Sequence, residues 1–316
     1  MNPAPAIAVT GLRKSFGPKV VLDDLDLTVP EGTVFALLGP NGAGKTTTVD
    51  ILSTLTTADG GEVRIAGHDL HREPDAVRAS IALTGQFSAV DDLLTGAENL
   101  RLMADLLHIG RREGQRRAAD LLERFDLVDA ADRVPSTYSG GMRRRLDLAM
   151  GLMGAPRVVF LDEPTTGLDP RSRRAMWDVV RGLVADGVTI LLTTQYLEEA
   201  DQLADHVVIV DHGRAIATGT PDELKGQAGR DVVEIRVRQA DDLDAAGALL
   251  APLGADAPRL DVPNRRVAIP VEAGTDRLAE AVRALAVADI AIDDVGLRRP
   301  TLDEVFLQLT RAGVDA

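Results

Sequence analysis

The chain has 316 residues, enough for about two domains of ordinary size. Lys and Arg total 35 against 49 Asp and Glu, a formal net charge of −14 that argues against a general nucleic-acid-binding surface, and no nucleic-acid partner is expected. The absence of cysteine excludes disulfides, thiol catalysis and thiolate zinc sites, and the 5 histidines (68, 71, 108, 206 and 212) share no metal-ligand spacing.

Residues 1–11 contain no basic stretch followed by an apolar one, so no signal peptide is expected. No run approaches the ~18 apolar residues of a membrane span. This reads as a cytosolic chain that reaches a membrane only by docking to an integral partner. Residues 7–10 and 62–66 have the look of short antiparallel strands, whereas 33–38 is apolar throughout. From 91 to about 153 the pattern turns helical, with 98–108 and 112–125 interleaving charges among Leu and Ala, as an inserted helical subdomain would. The runs 157–161, 188–192 and 206–210 are again apolar apart from Arg157, Thr189 and His206. Continuous apolar strands suit a parallel sheet covered by helices on both faces, a doubly wound α/β core. The polar, Gly-containing stretch 225–230 reads as a linker, giving a first domain of 1–228 and a second of 229–316. Beyond it, 232–237 alternates at period two and 243–253 is helical. Residues 258–262 and 266–271 flank a Pro263–Asn264 turn, 276–288 is helical and 290–292 is a short strand. That order, βαββαβ, predicts a small α+β, ferredoxin-like domain. A last helix over 302–311 follows Thr301, with Glu304 placed to complete a capping box.

The run Gly39-Pro40-Asn41-Gly42-Ala43-Gly44-Lys45-Thr46 fits G-x-x-x-x-G-K-[ST], directly after a predicted strand and before a helical stretch. Glycines let backbone N–H groups close around phosphates, and the helix N-terminus that follows adds potential favourable to anions. Lys45 is placed to reach the β- and γ-phosphates, and the Thr46 hydroxyl to ligate Mg²⁺. Residues 158–162 (VVFLD) followed by Glu163 put two carboxylates at the end of a buried strand, where open α/β sheets bind ligands. Asp162 suits Mg²⁺ held through water, and Glu163 suits polarisation of an attacking water.

Further residues narrow the reading. Tyr138-Ser139-Gly140-Gly141-Met142 precedes the acidic strand, Gly167-Leu168-Asp169 follows it, and Gln86 follows an apolar strand. Over roughly residues 6–224 this chain resembles the ATP-binding subunit of an ABC transporter, a P-loop NTPase fold. Residues 193–200 (TTQYLEEA) and 297–306 (LRRPTLDEVF) resemble the daunorubicin/doxorubicin-resistance branch of ABC exporters.

The resemblance implies ATP and Mg²⁺ as cofactors and an ATP-binding set of Phe16, Gly39 to Thr46, Thr47, Gln86, Ser139, Gly140, Gly141 and Asp169. Phe16 would stack on adenine, Ser139 to Gly141 would face the γ-phosphate bound by a second subunit, and Asp169 would cross between the two sites. Gln86 would contact Mg²⁺ or water and sense the membrane partner, so the metal set becomes Thr46, Gln86 and Asp162. Glu163 and Gln195 would be the catalytic pair. The family usually carries His where this chain has Gln195, and Gln where it has Met142. An amide donates and orients as His does but does not titrate near neutral pH. The expected function is an ATPase acting as a homodimer on the cytoplasmic side of the plasma membrane. Its dimer closure would drive a separate integral-membrane permease for drug or antibiotic efflux. The alternatives are a lipid-exporter ATPase and a soluble, non-transport ABC ATPase. The C-terminal domain fits a structural or dimer-stabilising cap, a regulatory or permease-coupling module, or a drug-binding one.

Overall fold

The computed structural model describes residues 4–85, 89–272 and 274–312. It divides into two units, Met1–Pro221 and Asp222–Ala316.

In chain order, the first unit contains strands β1 (Ile7–Phe16), β2 (Lys19–Val29) and β3 (Val34–Leu38), helix α1 (Lys45–Leu52), and strands β4 (Gly60–Ile65) and β5 (His68–Asp69). Helix α2 (Pro74–Ser80), strand β6 (Ile81–Thr84) and helices α3 (Gly96–Leu106), α4 (Arg111–Arg124) and α5 (Gly140–Leu152) follow. The unit ends with β7 (Val158–Asp162), α6 (Pro170–Ala185), β8 (Thr189–Thr194), α7 (Leu197–Leu203), β9 (His206–Asp211) and β10 (Arg214–Gly219).

Every residue of β3, β7 and β8 is buried, as their largely apolar sequences favour, with Asp162 of β7 and Thr189, Thr193 and Thr194 of β8 the polar exceptions. These strands lie inside a six-stranded sheet ordered β10-β9-β3-β8-β7-β6, parallel except for the β10–β9 pair at one edge. The strands with alternating patterns, β1, β2, β4 and β5, form a separate antiparallel sheet ordered β2-β1-β4-β5. One apolar cluster joins Ile7, Leu12 and Leu25 of that sheet to Phe35 and Phe160 of the parallel one and to Val49 and Ile51 of α1. Each such side chain contributes about 1.5–3 kcal/mol on burial, so the loop after β3 and the end of β7 stand on rigid supports.

Helices α3, α4 and α5 occupy the inserted helical stretch. Thr95 caps α3 in a full capping box with Glu98, which offsets orphan N–H groups at the helix start. Among the described residues, no helix is long and apolar enough to cross a membrane.

Apart from Pro221, the last residue of the first unit, the second unit takes in α8 (Pro221–Ala228), and then β11 (Asp231–Val237), α9 (Leu243–Leu250), β12 (Arg259–Asp261), β13 (Arg266–Val271), α10 (Gly274–Val287), β14 (Ile292–Arg298) and α11 (Leu302–Ala312). Its four strands pair antiparallel throughout in the order β12-β13-β11-β14. Val233, Ile235 and Val237 of β11 and Val267, Ile269 and Val271 of β13 pack against Leu243, Ala246 and Leu250 of α9 and Ala281 and Leu285 of α10. The period-two pattern thus selects the face that the two helices cover. The capping box of α11 is present, with Thr301 N–H donating to Glu304 at 3.1 Å and Glu304 N–H donating to Thr301 at 3.3 Å.

Three local expectations change. The stretch 225–230 is not an open linker, because α8 continues through Ala228; its single glycine costs a helix only about 1 kcal/mol. The strand expected at 290–292 runs instead over Ile292–Arg298, where pairing with β11 overrides the weak strand preference of two Asp and a Gly. The first strand reaches Phe16 through register shifts against its neighbours.

Candidate functional site

The loop Gly39–Gly44 leaves the end of β3 and turns into α1. Gly44 stands at φ +105°, in the left-handed region, and a Cβ there would lie 2.6 Å from Leu22 Cδ2, so only glycine fits. Lys45 is buried, with 5% of its surface exposed, and its ammonium donates to the carbonyls of Gly39 at 2.7 Å and Pro40 at 3.0 Å. Burial lowers the Lys45 pKa, while the nearby carboxylates of Glu163 and Asp162 pull it back up. The lysine therefore lies coiled under the loop within the field of the two acids.

Thr46, exposed on the first turn of α1, donates from its hydroxyl to Asp162 Oδ2 at 3.2 Å. The Asp162 carboxylate is buried at the end of β7 and also accepts from the Thr193 hydroxyl of β8. Strand register explains that contact, because Asp162 and Thr193 are paired across β7 and β8. Glu163 follows with φ +47°, a left-handed conformation that a non-glycine residue adopts only when its surroundings hold it there. Its backbone N–H donates to the Thr193 carbonyl and hydroxyl, both at 3.1 Å. One oxygen of its side chain accepts from the Thr166 hydroxyl at 3.1 Å and from the Gln195 amide at 3.4 Å. Lys45, Thr46, Asp162, Glu163 and Gln195 are thus brought together at the C-terminal end of the parallel strands, where such sheets bind ligands. Asn41 and Gly42 are exposed on the same loop, Ala43 is buried and Thr47 is half-buried.

Ser139 caps α5, its hydroxyl accepting the Met142 N–H at 3.2 Å. Ser139 and Gly140 are exposed and Gly141 is buried, so this helix start presents a hydroxyl and backbone amides outward, an arrangement suited to an anion. Asp169 caps α6, accepting from the N–H groups of Arg171 and Ser172 and from the Ser172 hydroxyl at 2.6 Å. The Ser172 hydroxyl, followed by those backbone N–H groups, holds the Asp169 pKa below its ordinary value. Phe16, at the end of β1, is 53% exposed, and the Lys14 ammonium sits 5.2 Å from its ring centroid. Gln86 lies outside the described residues.

A family model described as "ABC transporter" matches residues 22–166. The chain is 52% identical over 305 residues to the daunorubicin resistance ATP-binding protein DrrA2 of Streptomyces coeruleorubidus, covering 96% of this chain and 95% of that protein. It is 54% identical over 305 residues to DrrA3 of the same organism, at 96% of each. The chain belongs to the daunorubicin-resistance ATP-binding proteins of ABC transporters. A solved structure of the ATP-binding subunit of an ABC transporter superposes with a TM-score of 0.63 at 32% identity, covering 70% of this chain and 92% of that one.

In this ABC ATPase, three residues to which the sequence reading gave no role also stand at the site. Thr193 holds Asp162, as described. Arg144, on the second turn of α5, donates to the carbonyls of Gly85 at 2.6 Å, Asp162 at 3.1 Å and Pro164 at 3.2 Å. Glu199, on α7, is fully buried and accepts the Trp177 indole N–H at 3.2 Å. Burial raises its pKa, opposed by its polar neighbours Thr194, Thr165 and Trp177. For Thr193 the usable signal was the register of two apolar strands; Arg144 was hidden in an Arg143–Arg145 run that reads as a solvated face.

Proposed function

We propose that this chain is the ATP-hydrolysing subunit of a drug exporter, and that two copies close around two ATP molecules. The observation that carries the reading is the convergence of Lys45, Thr46, Asp162, Glu163 and Gln195 at one sheet end. The same unit holds, at the start of α5, the exposed Ser139 and Gly140 followed by Gly141, a turn able to complete a second copy's site. Each composite site takes the Gly39–Thr47 loop of one copy and Ser139, Gly140 and Gly141 of the other, with Asp169 at the crossing. Lys45 and the loop amides bind the β- and γ-phosphates. The Phe16 ring, exposed and flanked by Lys14, stacks on adenine.

Thr46 and Asp162 are hard oxygen donors of the kind magnesium prefers, and with Gln86 they would hold that ion, which neutralises phosphate charge when bound. Among the described residues no group of three or more His, Asp or Glu side chains could hold a metal alone; this fits a cation shared with the nucleotide's own oxygens. Glu163 polarises the attacking water, and the Gln195 amide keeps the Glu163 carboxylate oriented. Loss of the γ-phosphate removes the charge bridging the two copies, and the pair reopens. Closure is therefore a two-state element biased by ligand.

A chain of this design, with no spanning helix among its described residues, acts from the cytoplasmic face of a membrane on a separate permease. Leu102 and Leu106, one turn apart on α3, and Leu93 just before it are exposed apolar residues available for that contact. The names of the relatives favour a drug cargo. Residues 1–228 act as the nucleotide-binding domain, with a helical subdomain over about 91–153, and residues 229–316 act as an accessory domain.

The test is Glu163→Gln in the full chain, followed by light scattering with and without ATP. ATP should convert the variant to a long-lived dimer with turnover lost. A variant that stays monomeric with ATP, or hydrolyses at the native rate, overturns the reading. Ser139→Arg should keep ATP binding and stop hydrolysis; full activity there removes the shared site. Co-expression with a candidate permease, scored by efflux of a panel of drugs and lipids, tests the cargo.

A further inference from the structure

Arg144 sits on α5 only five residues after Ser139, about 8 Å along the axis at 1.5 Å per residue. It faces inward, its side chain 14% exposed, and its three carbonyl partners come from two separate segments of the site. Asp162 and Pro164 bracket Glu163, the residue held at φ +47°. Gly85 immediately precedes residues 86–88. On the other side of those residues, the Ala89 N–H donates to Asp147 Oδ1 at 2.9 Å. Asp147 lies one turn beyond Arg144 on α5, with its other oxygen 3.6 Å from the Arg144 guanidinium. Two side chains of one helix therefore grip Gly85 and Ala89, on either side of residues 86–88, and both flanks of Glu163.

The chemistry suits a rigid connection. A guanidinium is planar, always charged and carries its donors in a fixed fork, so it can serve three carbonyls at set angles. A lysine ammonium is a point charge on a flexible stem and cannot match that geometry. A charge this far from water persists because the three carbonyls and the Asp147 carboxylate surround it.

We propose that Arg144 and Asp147 are positioning residues that tie the seating of α5 to the Glu163 turn and to the ends of the Gln86 segment. When a second copy's γ-phosphate engages Ser139–Gly141, any shift of α5 is carried through Arg144 to the backbone on both sides of Glu163. The same pair ties Gly85 and Ala89 to α5, so those residues and the Glu163 turn move together. The inference rests on the reading of Glu163 as the group that polarises water.

The experiment compares Arg144→Gln, Arg144→Lys, Asp147→Asn and the double variant Arg144→Gln/Asp147→Asn in the full chain. Steady-state phosphate release gives kcat and the KM for ATP, and calorimetric titration with ADP gives nucleotide affinity. Misplacing a reacting group by about 1 Å costs on the order of 100-fold in rate, so Arg144→Gln should lose about 100-fold in kcat while ADP affinity stays within about threefold. Arg144→Lys should recover part of that loss. The double variant should be little worse than Arg144→Gln alone, because residues acting as one unit are not additive. The proposal is overturned if Arg144→Gln keeps more than about a third of native kcat. It is equally overturned if kcat and ADP binding fall together, as partial unfolding requires, or if the two variants' losses multiply. If Arg144→Gln does not fold, the kcat of Arg144→Lys and of Asp147→Asn at unchanged ADP affinity decides: native values for both refute the link. Glu163→Gln, assayed alongside, separates the two ideas. Native turnover in that variant removes the reading of Glu163, whereas turnover lost there but kept in Arg144→Gln removes only the link.

Discussion

Gln195 offers the sharpest quantitative test. Its amide nitrogen donates to Glu163 Oε2 at 3.4 Å, the long end of a hydrogen bond, and the Thr166 hydroxyl donates to the same oxygen at 3.1 Å. A well-made hydrogen bond to a charged group is worth about 1.5–3 kcal/mol. The length of this one places it at the lower end, and Thr166 continues to hold the carboxylate when the amide is removed. A loss of about 1.4 kcal/mol is a factor of ten in rate. Gln195→Ala should thus lower kcat about tenfold with the KM for ATP nearly unchanged, measured as phosphate release at pH 7.5. Gln195→His adds a second readout. Imidazole titrates near pH 6.5 and the amide does not, so the kcat profile of the His variant should acquire a limb between about pH 6 and 7.5 that the native chain lacks. A Gln195→Ala rate within twofold of native, or one reduced 1,000-fold, would refute the weak-orientation argument. So would a His-variant profile superimposable on the native one.

Other outcomes follow from neighbouring geometry. Lys45→Ala should weaken ATP binding by about 10- to 100-fold in a calorimetric titration, since a charge-assisted bond is lost; an affinity within twofold of native contradicts the phosphate role. Gly44→Ala combines left-handed strain with a Cβ 2.6 Å from Leu22 and 2.9 Å from the Val21 carbonyl, and should cost about 2–4 kcal/mol in denaturant unfolding. Gly42→Ala, at φ +84° with nothing within 4 Å, should cost only the strain of about 1–2 kcal/mol. Equal costs would mean that packing under the loop is irrelevant. Burial raises the Glu199 pKa, so the stability this residue contributes is full below the unfolded value and is lost as pH rises through the folded one. Glu199→Gln should therefore melt above the native chain at pH 8, with the advantage shrinking as the pH is lowered; an offset independent of pH would argue against a charge-burial cost.

The phosphate loop and the acidic strand end were legible because their chemistry is local: contiguous residues build one turn. The continuous apolar runs likewise gave β3, β7, β8 and β9 to within a residue or two. Strand β2 was missed because Asp24, at φ +67°, breaks the alternation between Leu22 and Leu25, both of which are buried. Strand β10 is mostly small or exposed residues and carries no core signal. Arg144, Thr193 and Glu199 stayed hidden for a different reason. Their partners lie tens of residues away, and contacts made across sheet register or between helix and loop leave no periodicity in the chain.

The borders of the C-terminal sheet carry a consequence of their own. One is β12, only Arg259–Asp261 long, and the other is β14, which bears Asp293, Asp294, Gly296 and Arg298. A stub on one side and a charged, glycine-interrupted ribbon on the other are poor templates for a stranger's backbone. That guards this small unit against edge-to-edge zippering into fibrils, including while it is freshly made and still alone.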